Sequence, residues 1–406
     1  MGGDDQRDDD AATLREVVDL VHRHLGLDAV GIVEVRGDRG VVRAWAGRPG
    51  LSEGAVNEMG PRSYPGLVLS GAVPALIEDA RNEPLVADLP LTRFLGVRSY
   101  VGVPLLLSDG RPYGVLAGVS CAPATRPTAR DVTFMEMLGE LIRKSLDRGR
   151  HVEDVRTHLQ DIISNERLAI AYQPIVDLAS GHCLGAEALA RFPGSMRTDE
   201  MFQAATEVAL GVDLESLAVS KAWGALGVLA DNQFLAVNVS PEALLTLAPR
   251  ADARHEVALD RVVVELTEHS LVDSYELLRR LLAPLKERGL RLAVDDAGAG
   301  YASLRHVVEL RPDFIKVDVS LVRGVADDPV RQITIKSIAT LAEELGATLI
   351  AEGVEEVKDL EAIRALGVGA VQGYLLDRPS TDPADLERWS GTRAAATARS
   401  RRLRVV

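Results

Sequence analysis

Cysteine is almost absent from this chain: there are two in 406 residues, Cys121 and Cys183. So sparse a set supplies neither a disulfide framework nor a thiolate metal site, and a reducing compartment is compatible with it. Also missing is any uncharged apolar run near the ~18 residues of a membrane span, so no membrane insertion is expected. The opening residues, Met1-Gly2-Gly3-Asp4-Asp5, are acidic where a secretory leader is basic and then apolar. A cytoplasmic location is therefore the expectation. Positive charge is short as well. The 46 Lys and Arg against 60 Asp and Glu leave a formal charge of −14, which argues against DNA as a partner. A phosphodiester ligand would need bound cations to offset that repulsion.

What is present is an ordinary globular composition, 47% hydrophobic and 26% charged, in a chain long enough for two domains. Residues 11–150 read as a small α+β domain. Thr13 is placed to cap a helix whose apolar stripe is Leu14, Val17, Val18, Val21 and Leu25, closed by Gly26. Two strands follow near 29–35 and 41–46, and a second hairpin spans 99–107 and 113–121. A closing helix starts near Thr128, where Thr128-Ala129-Arg130-Asp131 is a capping-box variant.

That helix continues as a linker to about residue 166, for the chain has no proline between Thr128 and Tyr172. Phe134, Leu138, Leu141, Ser145, Arg148, Val152, Val155, Leu159 and Ile162 follow heptad spacing with a polar break in the middle. The pattern leads to the expectation of a homodimer through the linker. Residues 390–406 carry Arg393, Arg399, Arg401, Arg402 and Arg404 and read as a disordered basic tail.

Between 167 and 389, apolar runs alternate with helical stripes. Candidate strands begin near 168, 182, 233, 261, 291, 313, 348 and 370. Eight strands with intervening helices predict a TIM-type (β/α)8 barrel with its chemistry at one rim. The first two strands are joined by only Ala179-Ser180-Gly181, too short for a crossover helix. They must form an antiparallel hairpin, which makes the barrel a variant with one antiparallel strand. Seven of the runs end on a polar residue: Glu187, Asn238, Glu265, Asp295-Asp296, Lys316, Glu352 and Gln372. Five carboxylates and a carboxamide, with no Cys or His among them, favour Mg²⁺ or Mn²⁺ over zinc. Two ions shared by Asp295 and Asp296 would relieve their repulsion and create a two-metal site suited to phosphodiester hydrolysis.

Several motifs here resemble a known family. Glu187-Ala188-Leu189-Ala190-Arg191 is similar to the signature of EAL domains, the phosphodiesterases of the bacterial second messenger cyclic di-GMP. Tyr172-Gln173-Pro174-Ile175, Asn238-Val239-Ser240, Glu265-Leu266-Thr267-Glu268, Asp295-Asp296, Lys316-Val317-Asp318, Ala351-Glu352-Gly353-Val354-Glu355 and Gln372-Gly373-Tyr374 match further motifs in order. The resemblance implies hydrolysis of cyclic di-GMP to linear pGpG with two Mg²⁺ or Mn²⁺ ions. It assigns Glu187, Asn238, Glu265, Asp295, Asp296 and Glu352 as metal ligands and Lys316 as a contact to the catalytic water. Gln173, Arg191 and Gln372 would contact the nucleotide, and Glu268 would brace the loop after the Asp pair.

That loop departs from the family pattern: Ala297, Ala299 and Ala302 stand where an aromatic, a hydroxyl and a serine are usual. The alternative is therefore a catalytically silent receptor that binds cyclic di-GMP and signals through the linker. Upstream, Val101-Gly102-Val103-Pro104-Leu105 and Gly114-Val115-Leu116-Ala117-Gly118-Val119 resemble a GAF domain. This implies a sensory module that regulates the barrel through an unidentified small ligand or signal. No Gly-Gly-Asp/Glu-Glu-Phe cyclase motif lies between the two regions.

Overall fold

The computed structural model describes residues 2–37, 39–48, 54–58, 62–122, 126–246, 258–266, 274–297 and 301–391. Glu268, Ala299 and the arginine-rich tail lie outside the described residues. The chain divides into two compact units, Met1–Val155 and Arg156–Val406.

In the first unit, six strands form one antiparallel sheet. They are β1 (Ala29–Arg36), β2 (Arg39–Gly47), β3 (Val56–Glu58), β4 (Leu76–Ile77), β5 (Ser99–Leu106) and β6 (Pro112–Ser120). Their order is β3-β2-β1-β6-β5-β4. Alternation sends successive side chains to opposite faces. Val30, Ile32, Val103, Leu105 and Leu116 pack on one face against Leu14, Val17, Val18 and Val21 of the helix Gly2–Leu25. Met135, Leu138, Ile142 and Leu146 of the helix Ala129–Ser164 join the same layer. Tyr100, Val115 and Val119 pack on the other face with Tyr64, Leu67, Val68 and Ile77.

The first helix starts at Gly2 rather than at Thr13. The sequence places an acidic run at its N-terminal end, where the helix dipole favours negative charge, and no proline interrupts it. Half of the capping-box variant forms: the Thr128 backbone N–H donates to the Asp131 carboxylate, and Thr128 Oγ1 donates there too, while the Asp131 N–H bonds the Thr128 carbonyl. Along Ala129–Ser164 the heptad positions divide. Leu138, Leu159 and Ile162 are buried within the chain, whereas Leu141 is 57% exposed and its neighbour Met137 67% exposed.

The second unit is a closed barrel of eight strands: β7 (Ala169–Asp177), β8 (Cys183–Arg191), β9 (Phe234–Asn238), β10 (Val262–Leu266), β11 (Arg291–Ala297), β12 (Phe314–Val317), β13 (Thr348–Ala351) and β14 (Ala370–Val371). As its short connection requires, β7 runs antiparallel to β8, and also to β14 on its other side. The remaining pairs are parallel. An inner layer of Ile175, Phe234, Ala236, Val263, Ala293, Phe314, Ile350 and Ala370 fills the barrel. The alternate residues Val294, Ile315, Leu349 and Val371 face outward into a second core with Ile335, Ile338 and Ile363.

Candidate active site

The two-residue period of a strand builds the mouth of the barrel. Each inward residue is followed two positions later by another on the same face. Ala236 is thus succeeded by Asn238, Val263 by Glu265, Ala293 by Asp295, Phe314 by Lys316, Ile350 by Glu352 and Ala370 by Gln372. Because β7 runs the other way, its mouth residue precedes its core residue: Gln173 comes before Ile175 and lies opposite Glu187. One apolar layer below thus positions seven polar side chains above.

Asp296 breaks this period. A regular strand would send it to the opposite face from Asp295. The register of β11 against β12 shifts between Val294 and Ala297, and Asp296 adopts a left-handed φ of 54°. Asp is among the few non-glycine residues that tolerate this region. The bulge turns both carboxylates to one side, where Asp295, Asp296 and Glu352 have oxygens within 4.8 Å of one another.

Deeper in the mouth, Lys316 is 1% exposed and Glu265 equally so. Lys316 Nζ lies 2.5 Å from Glu352, 2.8 Å from Glu265, 3.4 Å from Asp295 and 3.5 Å from Glu187. Burial lowers the lysine pKa, but the four surrounding carboxylates outweigh it and hold the ammonium charged. Burial pushes Glu187 up, yet Lys316 and the hydrogen bonds from Gln372 and Asn238 bring it below the usual range. Glu265 goes well above its ordinary value through burial and the charge of Glu187, even though it stands nearer to Lys316. The difference is in their partners: Glu187 accepts from Gln372 Nε2 at 2.7 Å and Asn238 Nδ2 at 2.9 Å in addition to facing the ammonium. Burial pushes Glu352 up to about 8.

The carboxamides link the floor of the mouth. Gln372 Nε2 also donates to Gln173 Oε1 at 3.0 Å, and Gln173 Nε2 to the Asp377 carbonyl at 3.1 Å. Gln372 Oε1 is buried with no hydrogen-bond partner, which leaves an acceptor facing the site. Gly373 allows this closeness, since a Cβ there would sit 2.2 Å from the Val354 carbonyl oxygen. Arg191 ends β8, half-buried, with Nη1 donating to the Ala190 carbonyl at 2.8 Å.

The structure therefore brings together Gln173, Glu187, Asn238, Glu265, Asp295, Asp296, Lys316, Glu352 and Gln372, with Arg191 at the end of the strand that carries Glu187. Sequence reasoning missed Glu215. This half-buried acid on the helix Gly211–Ala222 accepts the Ser240 backbone N–H at 2.7 Å and pins the turn that follows Asn238. Burial raises its pKa. A carboxylate next to the buried Leu214 in an apolar helix was the available signal.

As a donor set, the mouth fits a hard divalent cation. It offers five carboxylates, a carboxamide and the orphaned Gln372 oxygen, and one ammonium leaves it strongly acidic. Fold and mouth together define a TIM-type barrel with an oxygen-rich, acidic cluster at its C-terminal rim.

Comparison with known proteins makes the class specific. The EAL domain family model matches residues 156–379, and the GAF domain model matches residues 10–146. The chain belongs to the EAL-domain family and carries a GAF domain ahead of the barrel. It is 31% identical over 242 residues to the cyclic di-GMP phosphodiesterase PA2567 of Pseudomonas aeruginosa, a match covering 57% of this chain and 41% of that one. It is 29% identical over 253 residues to the probable cyclic di-GMP phosphodiesterase PdeB of Escherichia coli, covering 59% and 48%. The chain spans less than half the length of these curated relatives. Among solved structures, the complex of the PaMucR phosphodiesterase with c-di-GMP matches with a TM-score of 0.51 at 25% identity, over 56% of this chain and 97% of that one. The EAL enzyme Bd1971 shares the fold over 90% of this chain and 93% of its own, with a TM-score of 0.55 at 17% identity.

Proposed function

We propose that this chain hydrolyses cyclic di-GMP to linear pGpG, with Glu187, Asn238, Glu265, Asp295, Asp296 and Glu352 holding two Mg²⁺ or Mn²⁺ ions. The observation that carries this reading is the gathering of those six oxygen donors at the barrel mouth, four of them on Lys316. When bound, the ions would supply Lewis-acid polarisation of the phosphodiester and offset the chain's negative charge. The protein's own groups do the rest. Lys316 keeps a positive charge where an attacking water would be oriented, and Asp296, Glu187 and Glu352 fix the site's shape. Arg191 can grip a phosphate with two parallel N–H groups, a geometry lysine lacks. Gln173 and Gln372 present carboxamides to the nucleotide.

We assign the barrel to residues 167–389 and the regulatory module to 11–150, the closing helix running on as a linker to about 166. The module would control turnover through a small ligand or signal, in a homodimer formed through the linker helix and the barrel. The exposed Met137 and Leu141 on that helix support the dimer. No helix among the described residues is long and apolar enough to cross a membrane.

The test is chromatographic detection of linear dinucleotide after incubating the full chain with cyclic di-GMP and Mn²⁺. Product formation, lost on chelation, is expected. Binding of cyclic di-GMP without product would replace the enzyme by the receptor reading, which the alanine at 297, buried at the end of β11, favours.

A further inference from the structure

Lys316 lies in the middle of the carboxylate cluster, not at its edge. Its ammonium reaches Glu265, Glu352, Asp295 and Glu187, all within 3.5 Å. The three carboxylates that gather by themselves, Asp295, Asp296 and Glu352, are all half-buried. Glu187 and Glu265 are fully buried and stand outside that group; what they face is the lysine. The donor set therefore has two unlike halves. One is open to a cation from solution, and the other already contains a cation supplied by the chain.

We propose that Lys316 holds the place of one of the two divalent ions, so that the two metal positions differ in affinity and the second fills only as the ammonium withdraws from Glu187 and Glu265. The inference rests on the metal reading above and adds to it an order of binding. Its physical basis is simple. A cluster of buried carboxylates needs protons or a counter-charge, and the ammonium is the counter-charge that the chain itself supplies. An ammonium and a divalent ion at the same oxygens repel each other, so the resident must move for the ion to enter. Lys316 thereby lowers the affinity of the inner position while stabilising the empty one. The outer position, formed by Asp295, Asp296 and Glu352, shares Asp295 and Glu352 with the lysine but is the more open to solvent: those two side chains are 15% and 20% exposed, against 7% for Glu187 and 1% for Glu265.

Mn²⁺ titrations of the full chain by calorimetry and electron paramagnetic resonance test this, on the wild type and on Lys316→Gln. The wild type should show two classes of site separated by roughly tenfold or more. In Lys316→Gln the weaker class should tighten at least about tenfold and the stronger class change less. An unchanged or weakened second class, in a variant whose circular dichroism matches the wild type, would overturn the proposal. Should the variant not fold, the wild type labelled with [13Cε]lysine and titrated with Mg²⁺ gives the answer by NMR. One lysine resonance should shift mainly with the second equivalent; saturation with no lysine resonance moving overturns the idea. Absence of any Mn²⁺ binding to the wild type sinks the metal reading as well, whereas two equal, Lys316-independent sites sink only this inference.

Discussion

The two units bury polar groups in opposite ways. In the core of the first unit, the buried polar side chains among the described residues are neutral: Thr92, Ser99, Ser120 and the hydroxyls of Tyr64 and Tyr100. Tyr64 bonds Thr92 at 2.7 Å, and the Tyr100 hydroxyl has no hydrogen-bond partner. Inside the barrel the buried groups include Glu187, Glu265 and Lys316, which are ionisable. A lone neutral hydroxyl in an apolar layer costs about 1–3 kcal/mol, which a fold can absorb. A buried charge needs a counter-charge or hydrogen bonds, and at the mouth the ionisable groups supply both to one another. The contrast shows why the barrel mouth is legible as a site and the core of the first unit is not.

The sharpest way to break the comparison is Glu187→Ala. This change removes a proposed ligand, a contact to Lys316 and the acceptor of Asn238 and Gln372 at once. Hydrolysis should fall roughly a thousandfold or more, with the chain still folded when Mn²⁺ is present. Substantial residual turnover would contradict the assignment. A smaller loss is expected at Glu215. Glu215→Ala frees the Ser240 N–H and loosens the turn after Asn238, so Mn²⁺ affinity should drop roughly tenfold. Glu215→Gln keeps an acceptor oxygen and should recover most of it; if both variants bind alike, Glu215 has no positioning role.

The pH dependence of the metal-free chain comes next. Glu352 titrates at about 8 in the folded chain, above its ordinary 4.5, and Glu265 is also raised. The native state therefore holds protons that the unfolded chain releases across that window, and stability falls as pH rises through it. Glu187, shifted the other way, loses its contribution only at lower pH. In EDTA the melting temperature should be lower at pH 8 than at pH 6, and Glu352→Gln should flatten the slope. A melting temperature that rises over this interval would contradict the raised titration of Glu352 and Glu265.

The smallest effect belongs to the first unit. Tyr100→Phe deletes a buried, unpaired hydroxyl and should stabilise that unit by about 1 kcal/mol. Calorimetry should show its transition raised by roughly 2–4 °C, with hydrolysis unchanged.

Much of the barrel could be read from the chain because burial imposes simple patterns. The eight runs are apolar because both faces of each strand are covered, and their polar ends stand out for the same reason. The antiparallel β7–β8 hairpin followed from three connecting residues. What could not be read depends on backbone detail. Period two places Asp295 and Asp296 on opposite faces; the bulge and the left-handed Asp296 reverse that. Glu215 acts through a backbone N–H, which leaves no mark in residue spacing. Lys316 was expected beside the acids, but its place among four of them is a matter of geometry alone. On the linker, one heptad pattern served two purposes, since Leu138, Leu159 and Ile162 pack within the chain while Leu141 is left outside.

Anomalous diffraction from crystals of the full chain soaked in Mn²⁺ addresses the central claim most directly. Two peaks in the barrel mouth, about 3.5–4 Å apart and bounded by Glu187, Asn238, Glu265, Asp295, Asp296 and Glu352, are the expected result. A mouth without manganese, with Lys316 still seated among its four carboxylates at saturating metal, would contradict it.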